Sequence, residues 1–141
     1  MRVAFLLVLG LAISAHADPL RADPIEIKIA PASSTWKLTV PVDVVITATN
    51  ITMQKRSMKI MSCSWDEHVR SSDAALAWNG FTCTKNGLTT VELGAGKSRT
   101  WTLRMFAKPD AKLGAHTFRL IMTPRDGDPL WSNLTTIAVA K

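Results

Sequence analysis

From Val40 to Thr52 the chain reads VPVDVVITATNIT, with Val40, Val42, Val44, Ile46 and Ala48 at alternate positions and Asp43, Thr47 and Thr49 between them. A period of two in β-branched residues is the pattern of a half-buried strand; a helix would scatter the same apolar residues around its girth. This segment is expected to be the central strand of one sheet. Ahead of it, Ile25-Glu26-Ile27-Lys28-Ile29 alternates as a first strand ended by Pro31, and Trp36 and Leu38 extend the inward set toward Val40. Pro41 has no amide proton for a ladder, so a kink or a switch of sheets is expected there.

The alternation recurs downstream. Met58 to Trp65 is a strand with two nearly balanced faces, Met58/Ile60/Ser62 and Met61/Cys63/Trp65. Asn86-Gly87 between Phe81–Lys85 and Leu88–Leu93 predicts a tight hairpin, because a type I′ turn needs positive φ at both central residues. Gly94 to Ser98 is a further turn; Trp101, Leu103 and Met105 share one strand face, as do His116, Phe118, Leu120 and Met122. Arg125 to Pro129 is a turn cluster before a last strand over Asn133 to Val139. Only Ser72 to Trp78 suggests a helix, about two turns long, with Ser72 as N-cap and Asn79-Gly80 as the stop. About seven or eight strands with one helical turn at most indicate an all-β fold, an antiparallel immunoglobulin-like β-sandwich. A small closed barrel would use the same strands.

The opening residues change the compartment. Arg2, an apolar run from Val3 to Ile13 and Ala15-His16-Ala17 form the tripartite pattern of a secretory signal peptide, too short to span a bilayer. The expected organisation is a signal peptide over 1–17, a flexible leader over 18–24 and one sandwich domain over 25–141, secreted or periplasmic and without membrane insertion after cleavage. In an oxidising compartment Cys63 and Cys83 are expected to pair; two reduced, buried thiols are the alternative. The formal net charge of +6 is spread along the chain, which favours anionic partners such as envelope polymers. Export and the lack of a basic stripe with interleaved aromatics argue against nucleic acid.

The runs Leu93-Gly94-Ala95-Gly96-Lys97-Ser98, Trp101-Thr102-Leu103 and Gly114-Ala115-His116-Thr117-Phe118-Arg119-Leu120 resemble the second half of bacterial secreted immunoglobulin-like modules. Val42 to Thr52 resembles their early strand, and His116 stands where they usually have an aromatic. The resemblance spans Ile25 to Val139 and implies a sandwich that adheres, spaces other domains or binds partners. It carries over no site residue.

Candidate chemistry is sparse. Gly94 to Ser98 ends like a phosphate-binding loop, but Val91 occupies the position of the first glycine and a strand follows where a helix is needed. Met53, Met58, Met61, Met105 and Met122 with His68 and His116 are soft ligands of the kind exported copper carriers use, although Met105 and Met122 fall on core-facing positions. Asp66-Glu67-His68 with Asp73, and Asp126 with Asp128, lack the spacing of a calcium loop and are expected to be solvated loop charges. No serine lies in Gly-x-Ser-x-Gly, and pairing removes the thiols as nucleophiles; no enzyme activity, cofactor or metal is expected. Asn50-Ile51-Thr52 and Asn133-Leu134-Thr135 match the glycosylation pattern, which matters only in a eukaryotic secretory pathway.

The remaining candidate is the stretch closed by Cys63 and Cys83, which holds or adjoins Trp65, Trp78 and Phe81. Tryptophan is enriched in binding hot spots, so these three are the tentative binding residues; alternatively Trp65 and Trp78 cover the mouth of the core. The functional expectation is a non-enzymatic exported module that contacts a protein or an envelope glycan. Two further readings are a periplasmic copper carrier and a secreted inhibitor presenting the loop Lys108 to Gly114.

Overall fold

The computed structural model describes residues 23–141; the expected signal peptide and the first part of the expected leader lie outside them. The described residues are all-β, with twelve strands and one 3-10 turn, Trp65–His68. The longest strands are β1 (Ile25–Pro31), β3 (Val42–Asn50) and β8 (Ser98–Ala107), joined antiparallel with β6 (Leu76–Trp78) in the order β1-β3-β8-β6. Three short sheets face this layer. They comprise β4 (Arg56–Met61) with β7 (Leu88–Leu93), and β5 (Val69–Ser71) with β10 (Leu120–Met122) and β11 (Leu130–Trp131). The third joins β2 (Thr35–Lys37), β12 (Thr135–Ala140) and β9 (Gly114–Phe118).

One core is shared by all four sheets. Ile27, Val44, Ile46, Leu103 and Met105 from the large sheet meet Trp36, Met58, Ile60, Phe118, Leu120 and Ile137 from the short ones, each almost fully buried. Trp36 and Phe118 meet edge to face at 5.9 Å, the favourable geometry for two ring quadrupoles. The period-two reading of β3 therefore translates into burial at Val44, Ile46 and Ala48, with β1 on one side and β8 on the other. On β4 the buried face is that of Met58 and Ile60.

The inward set does not run on unbroken from Trp36. Leu38 is half-buried and Val40 is exposed, because Thr39 takes a positive φ of 62° and Pro41 stops the ladder. β2 belongs to one layer, where it runs parallel to β12, and β3 to the other, so the expected switch of sheets is real.

Three local expectations are corrected. No helix forms over 72–78: Asp73 builds a turn, its side chain accepting from the Ala75 amide, and Leu76–Trp78 becomes strand β6 against Ala107, Phe106 and Met105. The Asn86-Gly87 hairpin is also absent. Neither residue has positive φ, and β7 pairs with β4, because residue 83 is tied to Cys63 and cannot extend a strand beside β7. The count of strands exceeds seven or eight because long apolar segments break between sheets. Between the Phe118–Thr135 and Ile121–Trp131 pairs the register shifts by one residue, a bulge over 132–134 that splits one ribbon into β9/β12 and β10/β11.

The asparagines of both sequons are used by the fold. Asn50 is fully buried, and its Nδ2 donates to the carbonyls of Leu93 (2.9 Å), Gly94 (3.0 Å) and Gln54 (2.8 Å) while Oδ1 accepts from the Thr52 amide. Asn133 Oδ1 accepts from the Ile29 amide at 2.7 Å, capping the free edge of β1. Replacing a buried amide that holds three carbonyls leaves those acceptors dry. Asn50→Ala is expected to lower unfolding free energy by about 2–3 kcal/mol in urea titration, whereas the solvent-facing Thr47→Ser should stay within about 0.5 kcal/mol.

Candidate functional site

Cys63 and Cys83 form a disulfide, and no free cysteine remains. Such a bond belongs to an oxidising environment. The excursion it closes is also sewn at its base: Asn86 Oδ1 accepts from the amides of Cys63 and Ser64, Asn86 Nδ2 donates to Ser64 Oγ at 2.6 Å, and the Ser62 amide donates to the Gly87 carbonyl. Among the described residues no helix is long and apolar enough to cross a membrane.

The three aromatics of this region part company. Trp65 is buried, its ring 6.0 Å from that of Trp101 on β8 and 5.6 Å from that of Phe81. It pins the excursion to the large sheet. Phe81 lies on Trp65 from outside and is 44% exposed. Trp78, on β6, is half-buried and lines an open groove of about 410 Å³ with Arg70, Ser71, Asp73, Leu76 and Lys108. Trp65 and Phe81 are thus together, and Trp78 faces a different space.

The groove continues into a second cleft of about 470 Å³, walled by Asp73, Lys108, Asp110, Lys112 and His116. Here the loop Lys108 to Gly114 is fastened to the body: His116 Nδ1 lies 2.7 Å from Asp73 Oδ2, and His116 Nε2 lies 2.7 Å from the Lys112 carbonyl. With an acceptor at both nitrogens the ring is an imidazolium, so it acts as a clasp and has no lone pair to offer as base or ligand. The hydrogen bond to Asp73, joined by the Lys112 carbonyl, raises the His116 pKa above its ordinary 6.5 against the opposing effect of burial. At Asp73 burial pushes the carboxyl up, but the hydrogen bonds from His116 and from the Ala75 amide bring it below the ordinary 3.8.

The loop charges expected to be solvated are not all so. Asp66 and His68 are buried in the four-residue 3-10 turn, which packs on the core and shields them from water, and Asp73 is held by His116. Asp66 Oδ2 accepts from the Phe81 amide at 3.4 Å, while Oδ1 has no partner. His68 Nε2 accepts from the Met61 amide at 3.1 Å, so Nδ1 carries the proton and donates to the Thr123 carbonyl at 2.9 Å. The soft ligands do not converge either. Met58, Met105 and Met122 are in the core, Met53 is exposed alone, half-buried Met61 meets His68 through its backbone amide, and His68 and His116 have their ring nitrogens engaged by the protein.

Sequence reasoning passed over Trp131, which is 49% exposed on β11 with the Arg119 guanidinium 4.9 Å above its ring. An aromatic directly after Pro129-Leu130, outside any long alternating run, was the available signal.

No protein-family model matches the chain, and no curated protein matches it. Among solved structures it is similar to the beta-glucosidase from Listeria innocua in complex with glucose, at 15% identity and a TM-score of 0.44, and to the same enzyme in complex with gluconolactone, at 14% and 0.36. In both cases the match covers 83% of this chain and 16% of the enzyme, so this chain spans about a sixth of their length. The expectation of a chain without catalysis is corrected by these neighbours, since both are enzymes, and it is withdrawn. A motif search registers groups near one another in sequence, whereas catalytic groups are assembled by tertiary structure. At this TM-score the likeness carries neither an activity nor a site to the present chain.

Two measurements check this region. Closing a loop of this size restricts the unfolded chain by about 3 kcal/mol, so the Cys63→Ala/Cys83→Ala double variant should lose about that much stability in urea titration. The His116–Asp73 clasp gives a pH window. The raised histidine contributes fully below pH 6.5 and less as pH climbs through its elevated value; the lowered aspartate contributes above pH 3.8 and fails as pH falls through its depressed one. Stability is therefore expected to decline as pH rises from 6.5 through the elevated value of His116, and His116→Gln should flatten that decline.

Proposed function

We propose that the chain is an exported, immunoglobulin-like sandwich that works by binding, taking an extended polymer of the cell envelope into the groove beside Trp78. Secretion rests on the tripartite leader in the sequence and agrees with the disulfide. The immunoglobulin-like reading rests on the two-layer antiparallel arrangement and on the sheet switch before β3.

The single observation that carries the reading is the position of Trp78. Of the three flagged aromatics it alone lines a groove, and its neighbours there include Arg70 and Lys108, neither of which has an ion-pair partner among the described residues. A half-exposed indole offers apolar area to the flat face of a partner, and unpaired cations beside it attract anionic groups on the same partner. The groove is open along its length and suits a chain better than an enclosed small molecule.

The test is cosedimentation of the purified protein with isolated cell-wall polymer. Trp78→Ala is expected to reduce the bound fraction several-fold while changing unfolding free energy by less than about 1 kcal/mol; Trp65→Ala should cost about 3–5 kcal/mol through cavity formation. Equal destabilisation by both substitutions, with binding unchanged in whatever stays folded, would make Trp78 a cover for the core and end the proposal.

A further inference from the structure

On the outward side of the β5-β10-β11 sheet, Arg70, Ile121 and Trp131 are directly opposite one another across the three strands. Paired residues point to the same face, so the three form a row about 10 Å long at ordinary strand spacing. Leu120 and Met122, on the other face of β10, belong to the core; Ile121 does not, yet it is only 9% exposed. Something on the outside covers it, and its flanking neighbours in the row are Arg70 and Trp131. Arg119, one residue before β10, lies with its Cζ 4.9 Å from the Trp131 ring centroid.

Apart from Arg70, which also lines the Trp78 groove, this surface is not part of the proposed groove. Arg70 and Arg119 make no side-chain hydrogen bond and no ion pair among the described residues, although every described ion pair elsewhere takes an acidic side chain. Trp131 remains half-exposed with the Arg119 guanidinium over its ring. Two cations with their side-chain donors free, one over the exposed Trp131 ring and one at the other end of the row, form an incomplete recognition surface. A guanidinium over a ring face retains N–H donors that can meet the two oxygens of a carboxylate.

We infer that Trp131, Arg119 and Arg70 form a second binding platform, centred on Trp131 and sharing Arg70 with the Trp78 groove, for a carboxylated polysaccharide. A sugar ring has a face of C–H bonds that can lie on the exposed part of the indole, which accounts for the aromatic; its carboxylate meets a guanidinium, which accounts for the charges. A polymer bearing a carboxylate on successive rings can engage both arginines across the row, with Ile121 as a dry floor between them. The backbone holds the platform rigid: the Arg119 amide donates to Ser72 Oγ, its carbonyl accepts from the Ser72 amide, and the Leu120 amide donates to Ser132 Oγ.

Calorimetric titration of the purified full chain tests this with polygalacturonate, its fully methyl-esterified form and polyglutamate, at ionic strength of about 0.15 M. Polygalacturonate should bind at least about tenfold more tightly than either control. Trp131→Ala should weaken it about tenfold or more, Trp131→Phe much less, and Arg119→Met and Arg70→Met each about threefold to tenfold, with unchanged circular dichroism. Equal binding of polyglutamate with no effect of Trp131→Ala means attraction by net charge and overturns the inference. Polyglutamate preferred, and lost in Trp131→Ala, replaces the sugar by an acidic polypeptide; equal binding of the ester removes the arginines; no binding of polygalacturonate removes the ligand. Trp78→Ala separates the two surfaces. Polygalacturonate binding lost there but kept in Trp131→Ala puts the ligand in the groove and ends the platform, while the reverse leaves the platform standing without the groove.

Discussion

The fold depends on the chain changing layers between Trp36 and Val42. Trp36 is fully buried in the layer of β12, whereas Val44, eight positions on, is fully buried in the layer of β3. A regular strand would keep both on one sheet. The crossing is fixed by backbone hydrogen bonds to both layers: the Leu38 amide donates to the Ala140 carbonyl and the Thr39 amide to the Ala107 carbonyl. Thr39 adopts a positive φ of 62°, a conformation that costs a β-branched residue about 1–2 kcal/mol, and its own Oγ1 donates to the Leu38 carbonyl at 2.7 Å. The strain persists because the surrounding ladders on either side determine it. Once the crossing is made, β3 can lie between β1 and β8 with its alternate apolar residues facing those of the short sheets.

With the layers in place, the next constraint is the free edges. Side chains and turns, not further strands, close several of them. Asn133 satisfies the Ile29 amide on β1; Asp126 Oδ1 accepts from the Lys59 amide on β4, the Arg125 amide donates to the Lys59 carbonyl, and His68 accepts from the Met61 amide on the same strand. Each group replaces a missing ladder partner, and together they oppose edge-to-edge association. They also explain why polar residues that looked available for chemistry, such as His68, Asn50 and Asn133, are committed to backbone groups.

These commitments mark the limit of what the sequence discloses. Alternation identified β1, β3, β8 and the inward faces of β9 and β10, because a half-buried strand must place apolar residues two apart wherever it sits. Turn chemistry failed where a long-range tie outweighed it: Asn86-Gly87 has the residues of a hairpin, but the disulfide and the Asn86 bonds to residues 63 and 64 hold it elsewhere. The helix expected at 72–78 gave way to pairing with β8, since about two turns have little stability of their own against a ladder. At the candidate site the aromatic cluster was legible as a region but not by residue. Burial separated Trp65 from Trp78, and the pairing of Trp131 with Arg119 could not be read from the sequence, because the two meet only across the ribbon.

The charge distribution links the stability of the fold to its surface. Acidic side chains are largely spent inside the molecule: Asp73 on His116, Asp43 on Arg104, Glu26 on Lys28, Glu92 on Lys55, Asp126 on a backbone amide and Asp66 on the Phe81 amide. Most of these pairs are exposed and contribute little stability each, but they decide where the surplus of positive charge remains. Among the described residues left without an ion pair are Arg70 and Lys108 along the Trp78 groove and Arg119 over Trp131. Arg70 belongs to both places, lining the groove while standing opposite Ile121 in the row that ends at Trp131. Within a net charge of +6 that is spread along the chain, unpaired guanidinium groups accompany Trp78 and Trp131, so the places with apolar area to offer also attract anions.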